Sequence, residues 1–485
     1  MSTVKILLTG IFLILMGVVY AQPQSLYTYQ DLSHLYYQKQ KDSLKKAWVC
    51  PTAFSERAAQ KKYKEIWDGH TDFLLGSITR DDYVHDREVY AYVAGIVRQI
   101  ADANPQLIPV SPLVLLDRSS AVNAYSLGGN ILAVNLGLIA FSSCREELAL
   151  AIAHEMSHNI LHHIENAMQE QAAWLSSDEY RQSINAIMSS RYDRLTRLRK
   201  ILEGYTFSRS RHQRYHEDEA DSLAIILLKK SNMPFNAEFF LRLDSSDNEY
   251  QQRLKQPLNT YFAAYQLPFE DNWAIKRSHG LSTRTYNFSD STSTLDDSLK
   301  THPDCPQRYA RTRGRSTPHP QLTPIPAALK EKVNKMMIWN LYASANLTPC
   351  LYRIMLEKDK GNKDPWYDFM VSNIFYCLFY SDRQLNRFNA IGIIPKEYIS
   401  RDYYSLQTLL EQMPRDNLKG YCQTFRTEAF WNSLPGAERG LKDLLYTLAL
   451  DPDDSDRNKN KAARAFASDN AGSMYCEFSE NFEKK

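Results

Sequence analysis

Residues 147–163 read ELALAIAHEMSHNILHH, and the fold and chemistry of the chain turn on His154-Glu155-Met156-Ser157-His158 at its centre. On an α-helix, positions i and i+4 share one face, so His154 and His158 can turn ring nitrogens toward a single metal ion. Glu155 projects beside that ion, where a carboxylate can take a proton from water the metal activates. Leu148, Ile152 and Met156, with Ala149 and Ala153, give the helix an apolar face to bury. The pattern predicts a helix over 145–163 that carries a zinc centre, rather than a core helix with scattered histidines.

A catalytic zinc keeps three protein ligands and one open position, so a third ligand must arrive from elsewhere. The metzincin extension needs Gly at 161 and His at 164, where the chain has Leu161 and Ile164. His162 and His163 follow too closely on the expected helix to complete a tetrahedron with both His154 and His158. The stretch 214–221, RYHEDEAD, offers a second helix. Its Glu217 and Asp221 are i and i+4 on one face, continued by Ala224 and Leu228. Glu217 is the expected third ligand, with His216 and Glu219 as alternatives, and Asp221 is expected to orient a ligand from behind. Acidic stretches are commonly solvated helix faces, but Ala220, Leu223, Ile226 and Leu227 mark this helix for packing.

HEMSH followed by RYHEDEAD resembles the HExxH…RxxExxAD pattern of the HtpX-like and CAAX-prenyl-protease-type gluzincin metallopeptidases. Residues 122–138, VNAYSLGGNILAVNLGL, are similar to that family's segment before the active helix. His163 falls where many members carry a histidine, and Thr301-His302-Pro303 with Arg308 resembles the THP…R motif. Gln213 stands where a Ser usually precedes Arg214, and 231–300 is long for the family. The resemblance covers residues 70–315 and implies an α+β, predominantly helical fold. That fold is a zincin-like core with a small sheet and the HExxH helix, followed by a helical C-terminal region. It implies one Zn2+ per chain on His154, His158 and Glu217, with Glu155 as general base and acid. It further implies that His302 faces the metal, stabilising an oxyanion or blocking a resting site, and that Arg308 is a structural charge partner. Gly129, Asn130, Ile131, Leu132, Ala133 and Val134 resemble the edge strand along which an extended peptide lies.

Working outward, 113–116 and 131–134 read as short strands, with turn chemistry at Gly128-Gly129-Asn130. Residues 25–103, 176–202 and 213–230 read as mainly helical. Residues 283–300 are rich in Ser, Thr and Asp and read as a loop, and the four prolines of 317–326 mark a linker. Beyond them, 334–355, 365–381 and 402–412 are apolar-aromatic helical stretches that could form a degenerate repeat. The expected organisation is a signal peptide over 1–21, an N-terminal helical segment over 22–60, the metallopeptidase domain over 61–320 and a helical domain over 321–485.

The signal peptide rests on Lys5, an apolar run over 6–19 broken only by Thr9, and cleavage after Ala21. Fourteen such residues span about 21 Å as helix, short of a ~30 Å hydrocarbon core. No later stretch reaches the roughly 18 apolar residues of a membrane span, so the mature chain is expected to be exported, periplasmic or extracellular. The seven cysteines (Cys50, Cys144, Cys305, Cys350, Cys377, Cys422, Cys476) form no C-x-x-C pair, and at most one or two bridges are expected. Lys+Arg number 58 against 56 Asp+Glu, a balance of +2 that gives no reason to expect a nucleic-acid partner.

The expected function is therefore an exported zinc endopeptidase acting on protein or peptide substrates, with envelope quality control as its setting. A second reading is a chaperone or assembly factor with a self-inhibited or idle site, whose C-terminal helices bind protein partners.

Overall fold

The computed structural model describes residues 34–78, 82–84, 86–189, 216–275, 305–426, 434, 436–450 and 456–469. The signal peptide, the 283–300 loop, His302 with its Thr-His-Pro motif, and Cys476 lie outside these residues.

Four short strands make the only sheet among the described residues: β1 Tyr83–Val84, β2 Leu113–Asp117, β3 Ala124–Gly128 and β4 Ile131–Asn135, in the order β1-β2-β4-β3. β4 runs parallel to β2, from Leu113 opposite Ile131 to Asp117 opposite Asn135, and antiparallel to β3. The hairpin between β3 and β4 needs left-handed backbone, with φ of 77° at Gly128, 57° at Gly129 and 61° at Asn130. This is the turn that the two glycines and the asparagine mark in the sequence.

The expected edge strand over Gly129–Val134 is corrected by this order. Gly129 and Asn130 lie in the turn, while Ile131, Leu132, Ala133 and Val134 belong to the inner strand, paired on both sides and wholly buried. An unbroken apolar run is what a strand covered on both faces requires. The edge beside the active helix is instead β3, whose Tyr125 and Ser126 are half-buried.

Helices surround the sheet: α1 His34–Ala47, α2 Arg57–Ser77, α3 Arg87–Ala103, α4 Leu136–Phe141, α5 Arg145–Ile160, α6 His163–Ser176, α7 Asp178–Ser189 and α8 over 216–230. The side chain of Asp86 caps α3, accepting from the backbone N–H groups of Glu88 and Val89 at 3.0 Å each. Gly137 opens α4 against the preceding loop so closely that a Cβ there would lie 2.1 Å from the Ser120 carbonyl oxygen.

α5 ends at Ile160, short of the expected 163. His162 adopts φ 55°, and its N–H bonds the Asn159 carbonyl. This two-residue turn starts α6 at His163 in a new direction, against α2. The expected helix 334–355 is likewise two helices, Ala327–Ala343 and Leu347–Asp359, separated where Ala345 takes φ 56°.

The proline-rich segment is pinned rather than free. Thr317 N–H donates to the Phe235 carbonyl at 2.8 Å, Arg145 N–H to the Thr323 carbonyl at 2.8 Å, and Thr323 N–H to Glu146 Oε2 at 2.8 Å. Helix Ala327–Ala343 then packs on α4, and one apolar core runs from Val84 in the sheet region to Phe466 in the last described helix. The helices that follow are Pro365–Arg383, Arg401–Gln412, Arg415–Thr424, Gly436–Leu450 and Asp456–Asp469, with shorter turns between them. Among the described residues, no helix is long and apolar enough to cross a membrane. The six described cysteines are free thiols.

Candidate metal centre

α5 enters the interior through its apolar face: Leu148, Ala149, Ile152, Ala153 and Met156 are all buried. Its N-terminus is held by acids that favour the positive end of the helix. Glu147 accepts from Ser143 N–H and Oγ and pairs with Arg242 at 2.7 Å. α8 packs through Ala220, Ala224, Ile225, Leu227 and Leu228, whereas Ile226 faces solvent. These two buried stripes fix the distance between the helices and hence the geometry of the site.

His154, His158 and Glu217 converge. His154 Nε2 is 3.1 Å from Glu217 Oε2, His158 Nε2 is 3.4 Å from Glu217 Oε1, and the two Nε2 atoms are 3.1 Å apart. With zinc–ligand bonds of about 2.0–2.2 Å, the edge of a tetrahedron is about 3.3–3.6 Å, so a small outward shift seats an ion. The donor chemistry agrees. His154 Nδ1 faces the Asp221 carboxylate at 2.9 Å and therefore carries hydrogen, so Nε2 is the nitrogen that offers a metal its lone pair once its own proton leaves. Lone pairs and a carboxylate packed this closely repel unless a cation or proton lies among them. The residues fit a divalent metal.

Glu155 stands beside the triad, its Oε1 4.0 Å from His154 Nε2. Its other oxygen, Oε2, accepts the backbone N–H of Ser126 on β3 at 2.8 Å. Ser126 Oγ donates to Asn159 Oδ1 at 2.6 Å, and Asn159 Nδ2 donates to the Ile131 carbonyl at 3.2 Å. The active helix is thus tied to the sheet one turn beyond Glu155.

Behind His154, Asp221 receives Arg308 Nε on Oδ2 at 2.8 Å and Nη2 on Oδ1 at 2.6 Å. Asp221 and Arg308 are 3% and 9% exposed, so this is a buried two-pronged pair. Arg308 sits on α9, Cys305–Thr312, with its guanidinium over the Phe240 ring at 4.4 Å.

Electrostatics follow from this packing. Burial raises the Asp221 carboxyl, but hydrogen bonds from His154 and Arg308 outweigh it and hold the group at about 2. Burial and Arg308 push His154 down, yet the Asp221 and Glu217 carboxylates prevail and hold the metal-free ring at about 10. Burial lifts Glu217 too, but bonding to His154 and His158 carries it well below the carboxylate range. Burial dominates at Glu155 and raises it, against the opposing pull of His154, His158 and the Ser126 N–H. It also dominates at His163, pushed down to about 4 and so neutral.

Of the residues expected from sequence, the structure brings together His154, Glu155, His158, Glu217, Asp221 and Arg308. The inner strand β4 lies across the sheet behind β3. His216 and Glu219, the alternatives for the third ligand, face His163 instead: the His163 and His216 rings stack at 4.2 Å, and Glu219 Oε2 is 3.6 Å from His163 Nε2. The contacts of Ser126 and Asn159 were not legible as site features. Neither carries a motif of its own, and the Ser126 contact is made by a backbone N–H, which any residue but proline supplies.

Residues 86–316 match the profile of peptidase family M48, a metallopeptidase family whose members typically bind zinc. A protein of Vibrio cholerae named beta-barrel assembly-enhancing protease is 27% identical over 164 residues, 33% of this chain and 33% of that protein. The match therefore spans about a third of the relative's length. Over residues 86–316, the chain is similar to peptidase family M48.

Proposed function

We propose that the chain is a zinc endopeptidase of the HExxH-plus-glutamate type, with one Zn2+ held by His154, His158 and Glu217. The observation that carries this reading is the convergence of those three donors at 3.1–3.4 Å, with Glu155 alongside. When bound, the ion supplies Lewis acidity, lowering the pKa of a water from about 15.7 to about 7 and polarising a peptide carbonyl.

The protein supplies the rest. Glu155 takes the proton of the attacking water and delivers it to the leaving amine, the role its buried, raised carboxyl suits. Ser126 N–H holds Oε2 of Glu155 and leaves Oε1 turned to the centre. Asp221, backed by Arg308, keeps the His154 proton on Nδ1 so that Nε2 points inward. β3 has no strand on its other edge among the described residues, so an extended peptide can pair there by its backbone, beside the Ser126 N–H that Glu155 holds. Side-chain selectivity is then weak. His302 keeps its proposed role, stabilising the oxyanion or closing the resting site.

The sequence pattern of residues 1–21 favours export, and with it work on proteins outside the cytoplasm. The printed name of the Vibrio relative favours a setting in the assembly of beta-barrel proteins. That name also favours the second reading, an assembly factor with an idle site. Casein degradation abolished by a chelator supports the peptidase; intact casein beside a zinc-loaded chain supports the assembly factor. Glu217→Ala is expected to lose the metal, and full zinc occupancy in that variant would remove Glu217 from the ligand set.

A further inference from the structure

His158 and His163 bring Nδ1 to within 2.7 Å of Nδ1. Two bare lone pairs at that distance repel and two N–H groups collide, so a single hydrogen lies between them. For His158 to turn a lone pair on Nε2 toward a metal, its ring proton must sit on Nδ1. His163 then accepts at Nδ1 and carries its own proton on Nε2. That Nε2 points toward Glu219 Oε2 at 3.6 Å, beyond hydrogen-bond range, and has no hydrogen-bond partner among the described residues, although His163 is only 6% exposed.

The donors of His163, His216 and Glu219 also lie within 4.8 Å of one another, the raw material of a second metal seat. Ring geometry argues against it. The two imidazoles are only 14° from parallel, so their lone pairs lie in parallel planes and do not converge on an ion. What the stack does is restrain His163: one face rests on His216, and the turn at Leu161 and His162 fixes where the ring starts.

We propose that His163 is a positioning residue of the metal centre, a neutral hydrogen-bond acceptor that sets the tautomer and ring plane of His158, with His216 as its wall. This rests on the reading of His154, His158 and Glu217 as ligands. The two ligand histidines are then backed differently. His154 leans on a carboxylate, which makes its nitrogen more basic; His158 leans on a neutral ring, which does so less. Since Glu217 already brings a negative charge, a neutral backing at His158 leaves the ion a stronger Lewis acid than a second carboxylate would.

The test is cobalt titration of the full chain by chelator competition, with the cobalt d–d absorption recorded for wild type, His163→Gln, His163→Leu and His216→Ala. Gln keeps an acceptor oxygen, whereas Leu fills similar space without one. His163→Leu is expected to weaken cobalt binding about 10–100-fold and to shift the absorption. His163→Gln is expected to restore most of both, and His216→Ala, at a half-exposed position, to weaken binding severalfold. Wild-type affinity and spectrum in His163→Leu would overturn the proposal. So would Gln and Leu variants that are equally weak, because packing alone would then explain the loss, and so would unchanged affinity in His216→Ala. A wild-type chain that binds no cobalt contradicts the ligand triad itself, a result distinct from any of these.

Discussion

His154 Nδ1 and Asp221 Oδ1 lie 2.9 Å apart in the protein interior, and the same carboxylate grips both Nε and Nη2 of Arg308. One aspartate thereby decides which nitrogen of His154 turns toward Glu217 and neutralises a buried guanidinium. The Glu217–Asp221 segment thus carries both the proposed third ligand and the support of His154.

Removing that support should cost metal before it costs fold. Asp221→Asn keeps one acceptor and is expected to weaken zinc about 10–100-fold, read by chelator competition. Asp221→Ala leaves Arg308 buried without its partner and is expected to destabilise the chain by about 3–5 kcal/mol in urea unfolding. An Asn variant with wild-type zinc affinity would remove Asp221 from the orienting role.

Metal and proton compete for His154. The metal-free ring is held at about 10 against an ordinary 6.5, so it carries a proton through that window. Because the folded value is the higher one, this proton's contribution to stability is complete below about 6.5 and is lost as pH climbs through about 10. Zinc displaces it. Titration calorimetry at pH 8, repeated in buffers of different ionisation enthalpy, should report about one proton released per metal bound. No release would show that His154 is already neutral in the metal-free chain.

The Ser126 backbone N–H is expected to matter more than its hydroxyl. Ser126→Pro deletes the donor to Glu155 at an edge position where proline is tolerated, and should lower kcat about 10-fold or more with zinc retained. Ser126→Ala keeps the N–H and should stay within a few-fold of wild type. Equal rates in the two variants would sever Ser126 from Glu155.

Gly137→Ala places a Cβ 2.1 Å from the Ser120 carbonyl and 2.4 Å from that of Ala121. Backbone, not a flexible side chain, must yield. A loss of about 1–3 kcal/mol or more is expected, measured by denaturant midpoint; an unchanged midpoint would mean the 119–121 loop moves freely.

What the sequence carried best was what local periodicity encodes. His154 and His158 at i, i+4, and Glu217 and Asp221 at the same spacing, are helix-surface relations, and both pairs sit as that spacing demands. Pairing partners are a different matter. Ile131–Val134 was expected at the sheet edge, yet an unbroken ILAV run is what two-sided burial selects, and the true edge, Ala124–Gly128, hides its alternation in five residues ending at a glycine turn. The break after Ile160 carried no glycine or proline; His162 takes the left-handed turn itself. Without that break, His163 would stay on the α5 line rather than open a new helix beside His158.

The most direct test of the central claim is hydrolysis of casein by the zinc-loaded chain beside Glu155→Gln at equal measured zinc content. The substituted amide preserves size and can still accept the Ser126 N–H, but it cannot take a proton from water. A near-complete loss of rate with zinc unchanged is the predicted result. A Glu155→Gln chain that cleaves casein at the wild-type rate would contradict the account.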